Sequence, residues 1–265
     1  MISISALRRA TEQHYATPFA LALVLMAGCA SDPQGNETSI QPADTTGMQP
    51  AEIDAGAAQG KLASPCEPIA GNFERIYDPS AGELWPLYIN DHTFVRGPEQ
   101  QWHLFGITHT EPELAPKDTR EFAHASSTNL NSPMWTKQTN ALKADPALGE
   151  SLLWAPHVIE QDGLYWMFYS GGGGDDGSYQ IRLATSSDLV TWTREESPLF
   201  IDGYEARDPF VLRVGAQWVM YYTATDDPAG GHHIVAYRSS ADLRTWSARA
   251  VAYIDPMSGK GAGPT

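Results

Sequence analysis

The sequence predicts an all-β fold, a β-propeller of four-stranded blades, and three observations carry that expectation. Runs rich in β-branched and aromatic residues, such as Trp218-Val219-Met220-Tyr221-Tyr222-Thr223, are short and parted by Gly turns, while no long stretch has a 3.6-residue apolar period. The pattern Arg207-Asp208-Pro209-Phe210-Val211-Leu212, turn, Trp218-Val219-Met220 restates Trp154-Ala155-Pro156-His157-Val158-Ile159, turn, Tyr165-Trp166-Met167 about 53 residues earlier. A tryptophan closes each unit in register, at Trp135, Trp192 and Trp246.

The chain has 265 residues, 42% of them hydrophobic and 10% aromatic, enough for a sizeable core. Its net charge of −15 argues against nucleic acid or an anionic membrane surface as a partner. Such an acidic balance suits an envelope protein or a binder of uncharged ligands such as sugars.

Residues 1–28 read as an export signal. Arg8 and Arg9 precede the apolar run from Pro18 to Met26, which is too short to span a bilayer as a mature helix. The run ends Leu25-Met26-Ala27-Gly28-Cys29, which resembles a bacterial lipobox, so Cys29 is the expected lipidation site. The implied location is the cell envelope, lipid-anchored and extracytoplasmic, and the outer membrane in a diderm host because Ala30 rather than Asp follows the Cys. Residues 29–65 are Ser, Thr, Gln, Gly, Ala, Pro and acid with few large apolar side chains, the composition of a flexible tether. With Cys29 lipidated, Cys66 is the only other thiol, and no intramolecular disulfide can form.

The propeller region is expected over residues 66–265, and three units overlay within it. The first runs from Asp91-His92-Thr93-Phe94-Val95 through Trp102-His103-Leu104-Phe105 to Trp135, the second from Ala155 to Trp192, and the third from Asp208 to Trp246. Tyr165, Met167 and Tyr169 alternate with Trp166 and Phe168, so the middle sheet is apolar on both faces and must pack between neighbours. The overlay makes Asp91, Ala155 and Asp208 equivalent, each placed just before an inner strand. In a propeller that end faces the funnel where ligands bind, so two carboxylates are expected to share one pocket. Asp-Pro at Asp78, Asp145, Asp227 and Asp255 is explained by turn initiation alone.

From about Leu84 onward the sequence resembles the five-bladed propeller glycoside hydrolases, the superfamily containing families 32, 43, 62 and 68. The resemblance rests on Ile89-Asn90-Asp91 ahead of Trp102-His103-Leu104-Phe105, on Trp154-Ala155-Pro156-His157-Val158 and on Arg207-Asp208-Pro209, with His92 where Pro often follows the first Asp. It implies hydrolysis of glycosidic bonds in a poly- or oligosaccharide, arabinose- or fructose-type among the furanosides, with Asp91 as base or nucleophile. Asp208 would stabilise the oxocarbenium-like transition state and tune the acid, while Arg207 would bind a sugar hydroxyl or hold Asp208 ionised. Trp85, His92, Trp154 and His157 are the candidate substrate-binding residues, because sugar rings stack on aromatic faces and their hydroxyls need polar partners.

In such enzymes a Gly-Pro-Thr-like loop precedes a Glu that serves as general acid, and Gly263-Pro264-Thr265 ends this sequence. About three blades are then present, the acid is expected beyond residue 265, and the chain as written is expected to be impaired. No cofactor or metal is expected. His232 and His233 are adjacent on a strand and point to opposite faces, and the loop from Gly171 to Gly177 holds only two carboxylates. The alternative from another class is a noncatalytic glycan-binding envelope lipoprotein, with a structural propeller as a third.

Overall fold

The computed structural model describes residues 72–113, 118–173 and 179–254. Cys29, the tether, Cys66, Asp255 and the Gly-Pro-Thr end lie outside them.

Three antiparallel sheets follow one another along the chain. In the first, β1 (Leu87–Arg96), β2 (Trp102–Thr110) and β3 (Glu121–Ser127) lie side by side, and two short pieces, β4 (Thr136–Lys137) and β5 (Leu142–Lys143), both pair with β3. The second repeats the plan: β6 (Leu152–Gln161), β7 (Leu164–Gly172) and β8 (Gln180–Ser186), with β9 (Thr193–Arg194) and β10 (Phe200–Ile201) both on β8. The third is β11 (Ala206–Val214), β12 (Gln217–Asp227), β13 (Gly230–Ser240) and β14 (Ala250–Tyr253). The expected four-stranded blades are present, with the closing strand of the first two broken in half.

The hairpins follow from local chemistry. Asp162 and Gly163 turn β6 into β7 with φ of 55° and 76°, the pair of left-handed residues a two-residue hairpin needs. A Ser-x-Asp-Leu turn ends the third strand of the second and third sheets. Ser186 Oγ accepts from Leu189 N at 2.8 Å while Asp188 Oδ1 accepts from Val190 N and Thr191 N, and Ser240 with Asp242 does the same for Leu243, Arg244 and Thr245. These backbone donors pull both aspartates down to about 2. The turns drive Leu189 and Leu243, both at φ 64°, into the cores between sheets.

Side-chain alternation builds those cores. Tyr165, Met167 and Tyr169 face Phe105, Ile107 and Phe122 of the first sheet. Trp166 and Phe168, on the other face of the same strand, meet Val211, Met220 and Tyr222 of the third. Met167 and Phe168 are fully buried, and each such side chain contributes roughly 1.5–3 kcal/mol. The closing tryptophans lock neighbours together: Trp192 stands edge-on to Phe105 at 5.6 Å, and Trp246 stands edge-on to Phe168 at 6.0 Å. This page-on-page packing is that of consecutive propeller blades.

Candidate active site

The three overlaid positions share one backbone geometry. Asp91, Ala155 and Asp208 have φ of 43°, 45° and 55°, and each begins a bulge in the innermost strand of its sheet. The ladder passes from Asn90↔Ile107 to Thr93↔Phe105, from Trp154↔Ser170 to His157↔Phe168, and from Arg207↔Thr223 to Phe210↔Tyr221. Two residues therefore face one on the partner strand: Asp91-His92 opposite Gly106, Ala155-Pro156 opposite Tyr169, and Asp208-Pro209 opposite Tyr222. The sequence placed these residues ahead of their strands; they lie inside them, because pairing begins earlier and the bulge interrupts it without ending it.

The residue types fit this geometry. A bulged residue leaves its ladder, so Pro156 and Pro209 sacrifice no needed N–H, and aspartate tolerates the left-handed region better than most residues. Ala155 in the same conformation shows that the fold, and not the aspartate, imposes it. A non-Gly residue held there costs on the order of 1 kcal/mol and is kept by its surroundings.

At Asp208 those surroundings are explicit. Its backbone N–H donates to Ser170 Oγ at 2.9 Å, from a fully buried serine on the neighbouring sheet. Its carboxylate accepts from the Thr223 side chain, and Oδ2 lies 3.3 Å from Arg207 Nη1. Burial raises its pKa, while Arg207 and Thr223 pull the other way. Asp91 is exposed to solvent, yet the dense protein beside it raises its pKa, with the Asp208 charge adding to the rise and Arg207 opposing it. The charges of Asp208 and Arg207 are thus both felt at Asp91. The other aspartates expected to be turn formers behave as such: Asp78 Oδ1 accepts from Ser80 N, Asp145 Oδ1 from Ala147 N and Asp227 Oδ1 from Ala229 N.

The remaining candidates divide. His92 is exposed, its ring edge-on to Phe94 at 5.2 Å, and partial burial lowers its pKa. Trp85 is 66% exposed on the run into β1. Trp154 and His157 are engaged between blades. Trp154 Nε1 donates to Thr119 Oγ1 at 2.6 Å and its ring stacks on Tyr179 at 4.8 Å. His157 Nε2 donates to the Val211 carbonyl at 3.0 Å, joining β6 to β11, and burial holds it down at about 4. Arg207 lies against Asp208.

Sequence reasoning passed over two members of this site. Glu205, 8% exposed, lies 3.4 Å from Arg207 Nε and 2.6 Å from His233 Nε2, through the same carboxylate oxygen. His233 arrives from β13, and its sequence carries no sign of this partner. Among the described residues no group of three or more His, Cys, Asp or Glu is placed to hold a metal ion.

With this geometry in view the comparisons are specific. Residues 87–257 match the sequence profile of the glycosyl hydrolases family 32 N-terminal domain. The chain belongs to that family. A protein of Psychromonas ingrahamii named probable sucrose-6-phosphate hydrolase is 29% identical over 156 residues, covering 56% of this chain and 27% of the relative. The chain spans about a quarter of the length of the curated relatives it matches. The solved sucrose-6-phosphate hydrolase from Lactobacillus gasseri superposes with a TM-score of 0.51 at 18% identity, over 60% of this chain and 33% of that one. A thermostable family-43 glycoside hydrolase gives 0.51 at 20% identity, over 68% of this chain and 54% of that one. These likenesses establish for the family 32 chain the fold of a propeller glycoside hydrolase.

Proposed function

We propose that this family 32 chain forms the propeller core of a glycosidase that hydrolyses the O-glycosyl bond of an uncharged fructosyl saccharide. The observation that supports the reading is the left-handed bulge shared by Asp91 and Asp208, with the Asp208 charge felt at Asp91, while ordinary turns account for Asp78, Asp145 and Asp227. Asp91, exposed to solvent, acts as nucleophile or water-activating base. Asp208, held at its backbone by Ser170 and at its carboxylate by Arg207 and Thr223, stabilises positive charge developing on the sugar ring. Arg207 has five N–H donors and two carboxylates to satisfy, which leaves donors for a sugar hydroxyl. Among the described residues, the equivalent position on the second sheet is Ala155, so the general acid is to be sought outside them.

A fructoside is favoured by the family and by the sucrose-6-phosphate hydrolases this chain resembles. An uncharged one is favoured because Asp91, Asp208 and Glu205 outnumber Arg207 and His233 around the site. We also place the protein outside the cytoplasm, tethered through Cys29, on the strength of the sequence; a C29S variant should then leave the membrane fraction.

The test is fructose release from sucrose, raffinose and inulin by the protein as its gene encodes it, beside its D91N and D208N variants. Wild-type turnover with a fall of about 10³-fold or more in D91N supports the reading. Release that D91N leaves intact, or glycan binding with no hydrolysis of any substrate, overturns it.

A further inference from the structure

The segment before β11 and the turn between β12 and β13 are packed backbone to backbone. A methyl group on Gly203, whose φ is 67°, would lie 2.7 Å from Pro228 Cα. Two residues after Gly203, Glu205 meets His233 of β13 and, through the same carboxylate oxygen, Arg207. The result is a chain of contacts in which His233 Nε2 and Arg207 Nε meet Glu205 Oε2, and Arg207 Nη1 meets Asp208 Oδ2.

A guanidinium beside a lone carboxylate frequently closes a two-pronged pair with it, taking both oxygens. Here it does not. Arg207 is divided between two carboxylates, with one contact to each. We infer that Glu205 is a positioning residue for Asp208: by holding one side of the Arg207 guanidinium it keeps Arg207 from closing onto Asp208, and His233 holds Glu205 in place to do so. Asp208 then keeps carboxylate capacity for the sugar, and Arg207 keeps donors for a hydroxyl. The groups facing Asp208 are Arg207 and Glu205 beside it, Thr223 on β12, His233 on β13, Ser170 on β7 and, in electrostatic reach, Asp91 on β1. Glu205 pushes the Asp208 pKa up while Arg207 pulls it down, which agrees with competition for one cation.

The kinetic arm of the test rests on the proposed function; the titration arm does not. In E205Q the shape is kept and the charge lost, so Arg207 should turn wholly to Asp208. The expected result is a fall in kcat on sucrose of about tenfold or more, the ordinary weight of a hydrogen bond to a charged group. Its Tm should stay near wild type, and the Asp208 midpoint, followed by carbon-13 NMR of its carboxyl, should move to lower pH. H233A should fall between the two, and H233Q, whose amide restores a donor, should recover toward wild type. Unchanged kcat and an unmoved Asp208 midpoint in E205Q overturn the inference, as does an H233Q variant no better than H233A. If the wild type hydrolyses nothing, the proposed function fails, and the Asp208 midpoint alone decides the positioning role.

Discussion

The Tyr169 hydroxyl donates to Glu150 Oε1 at 2.7 Å, and neither side chain reaches solvent. Arg182 and Arg194 meet the same carboxylate at 3.7 and 3.4 Å. The third sheet repeats the clasp in kind: Tyr222 donates to Asp202, which also meets Arg238 and Arg249. Both tyrosines stand opposite the left-handed bulge of their sheet, so each clasp ties the chain entering the innermost strand to the strand beside it. A buried carboxylate paired with two arginines is costly to neutralise. Y169F should destabilise by about 1.5–3 kcal/mol and E150Q by about 3–5 kcal/mol, read from urea unfolding. Y222F should cost less than Y169F, because Asp202 retains some solvent.

Two histidines, one buried and one half-buried, should make the fold acid-sensitive. His157, donating to Val211 O, and His124, whose Nε2 lies 2.9 Å from His103 Nδ1, are both held down at about 4, chiefly by burial. The unfolded chain takes up these protons near pH 6.5, before the folded chain does. Stability is therefore full above pH 6.5, falls as the pH drops toward 4 and levels off below it. His157 alone accounts for up to about 3 kcal/mol of this loss. H157Q keeps a donor for Val211 without a titrating group, and its unfolding free energy should vary less between pH 7 and 4 than that of the wild type.

The equivalence of Asp91, Ala155 and Asp208 was legible because a repeat preserves backbone geometry even where its side chains change, and the left-handed φ at all three is the physical content of that repeat. The clasps were legible in part, since Glu150 and Asp202, and Tyr169 and Tyr222, recur at nearly the offset of the repeat, while the arginines do not keep that register. They escape a linear reading because the tyrosine sits on one strand, arginines on others and the carboxylate on the segment before the innermost strand, and only strand pairing brings them together. Glu205 and His233 gave no such sign. Glu205 stands two residues after Gly203, which touches Pro228, a contact between two turns that no periodicity encodes. His157 looked like a pocket residue because its ring is aromatic and polar, whereas the structure uses its N–H to bridge sheets.

The proposed base should be a stability liability. Burial and the Asp208 charge raise the Asp91 pKa in the folded state, so its ionised form opposes folding. The sign follows: the fold is favoured below the ordinary carboxylate pKa, and the advantage is lost as pH rises through the raised value. D91N removes the charge. Its Tm at pH 7 should exceed the wild-type value, and the difference should vanish toward pH 3, while fructose release is lost. A D91N protein less stable than wild type at pH 7 would contradict the geometry described for the site.

Gly106 offers the sharpest steric test. It stands across from Asp91-His92, the place that Tyr169 and Tyr222 hold opposite the other two bulges. A methyl group there would lie 2.9 Å from Ile89 Cγ1, 3.0 Å from Asn90 O and 3.1 Å from His92 Cβ. Two of these atoms belong to the residues flanking Asp91 and one of them is backbone, so no side-chain rotation relieves the crowding. The bulge itself must move. Gly106 needs no left-handed φ, and alanine would otherwise favour the folded chain slightly by restricting the unfolded one. Any loss in G106A is therefore steric. We expect destabilisation of about 1–3 kcal/mol, the usual cost of overpacking, together with a fall in kcat of about 10²-fold, the scale at which a 1 Å displacement of a reacting group is felt. The matched control is G215A, at a turn whose added methyl meets nothing within 4 Å but whose φ of 59° carries backbone strain, so it should lose stability and keep its turnover. Equal turnover in G106A and wild type would mean that the bulge does not set the position of Asp91.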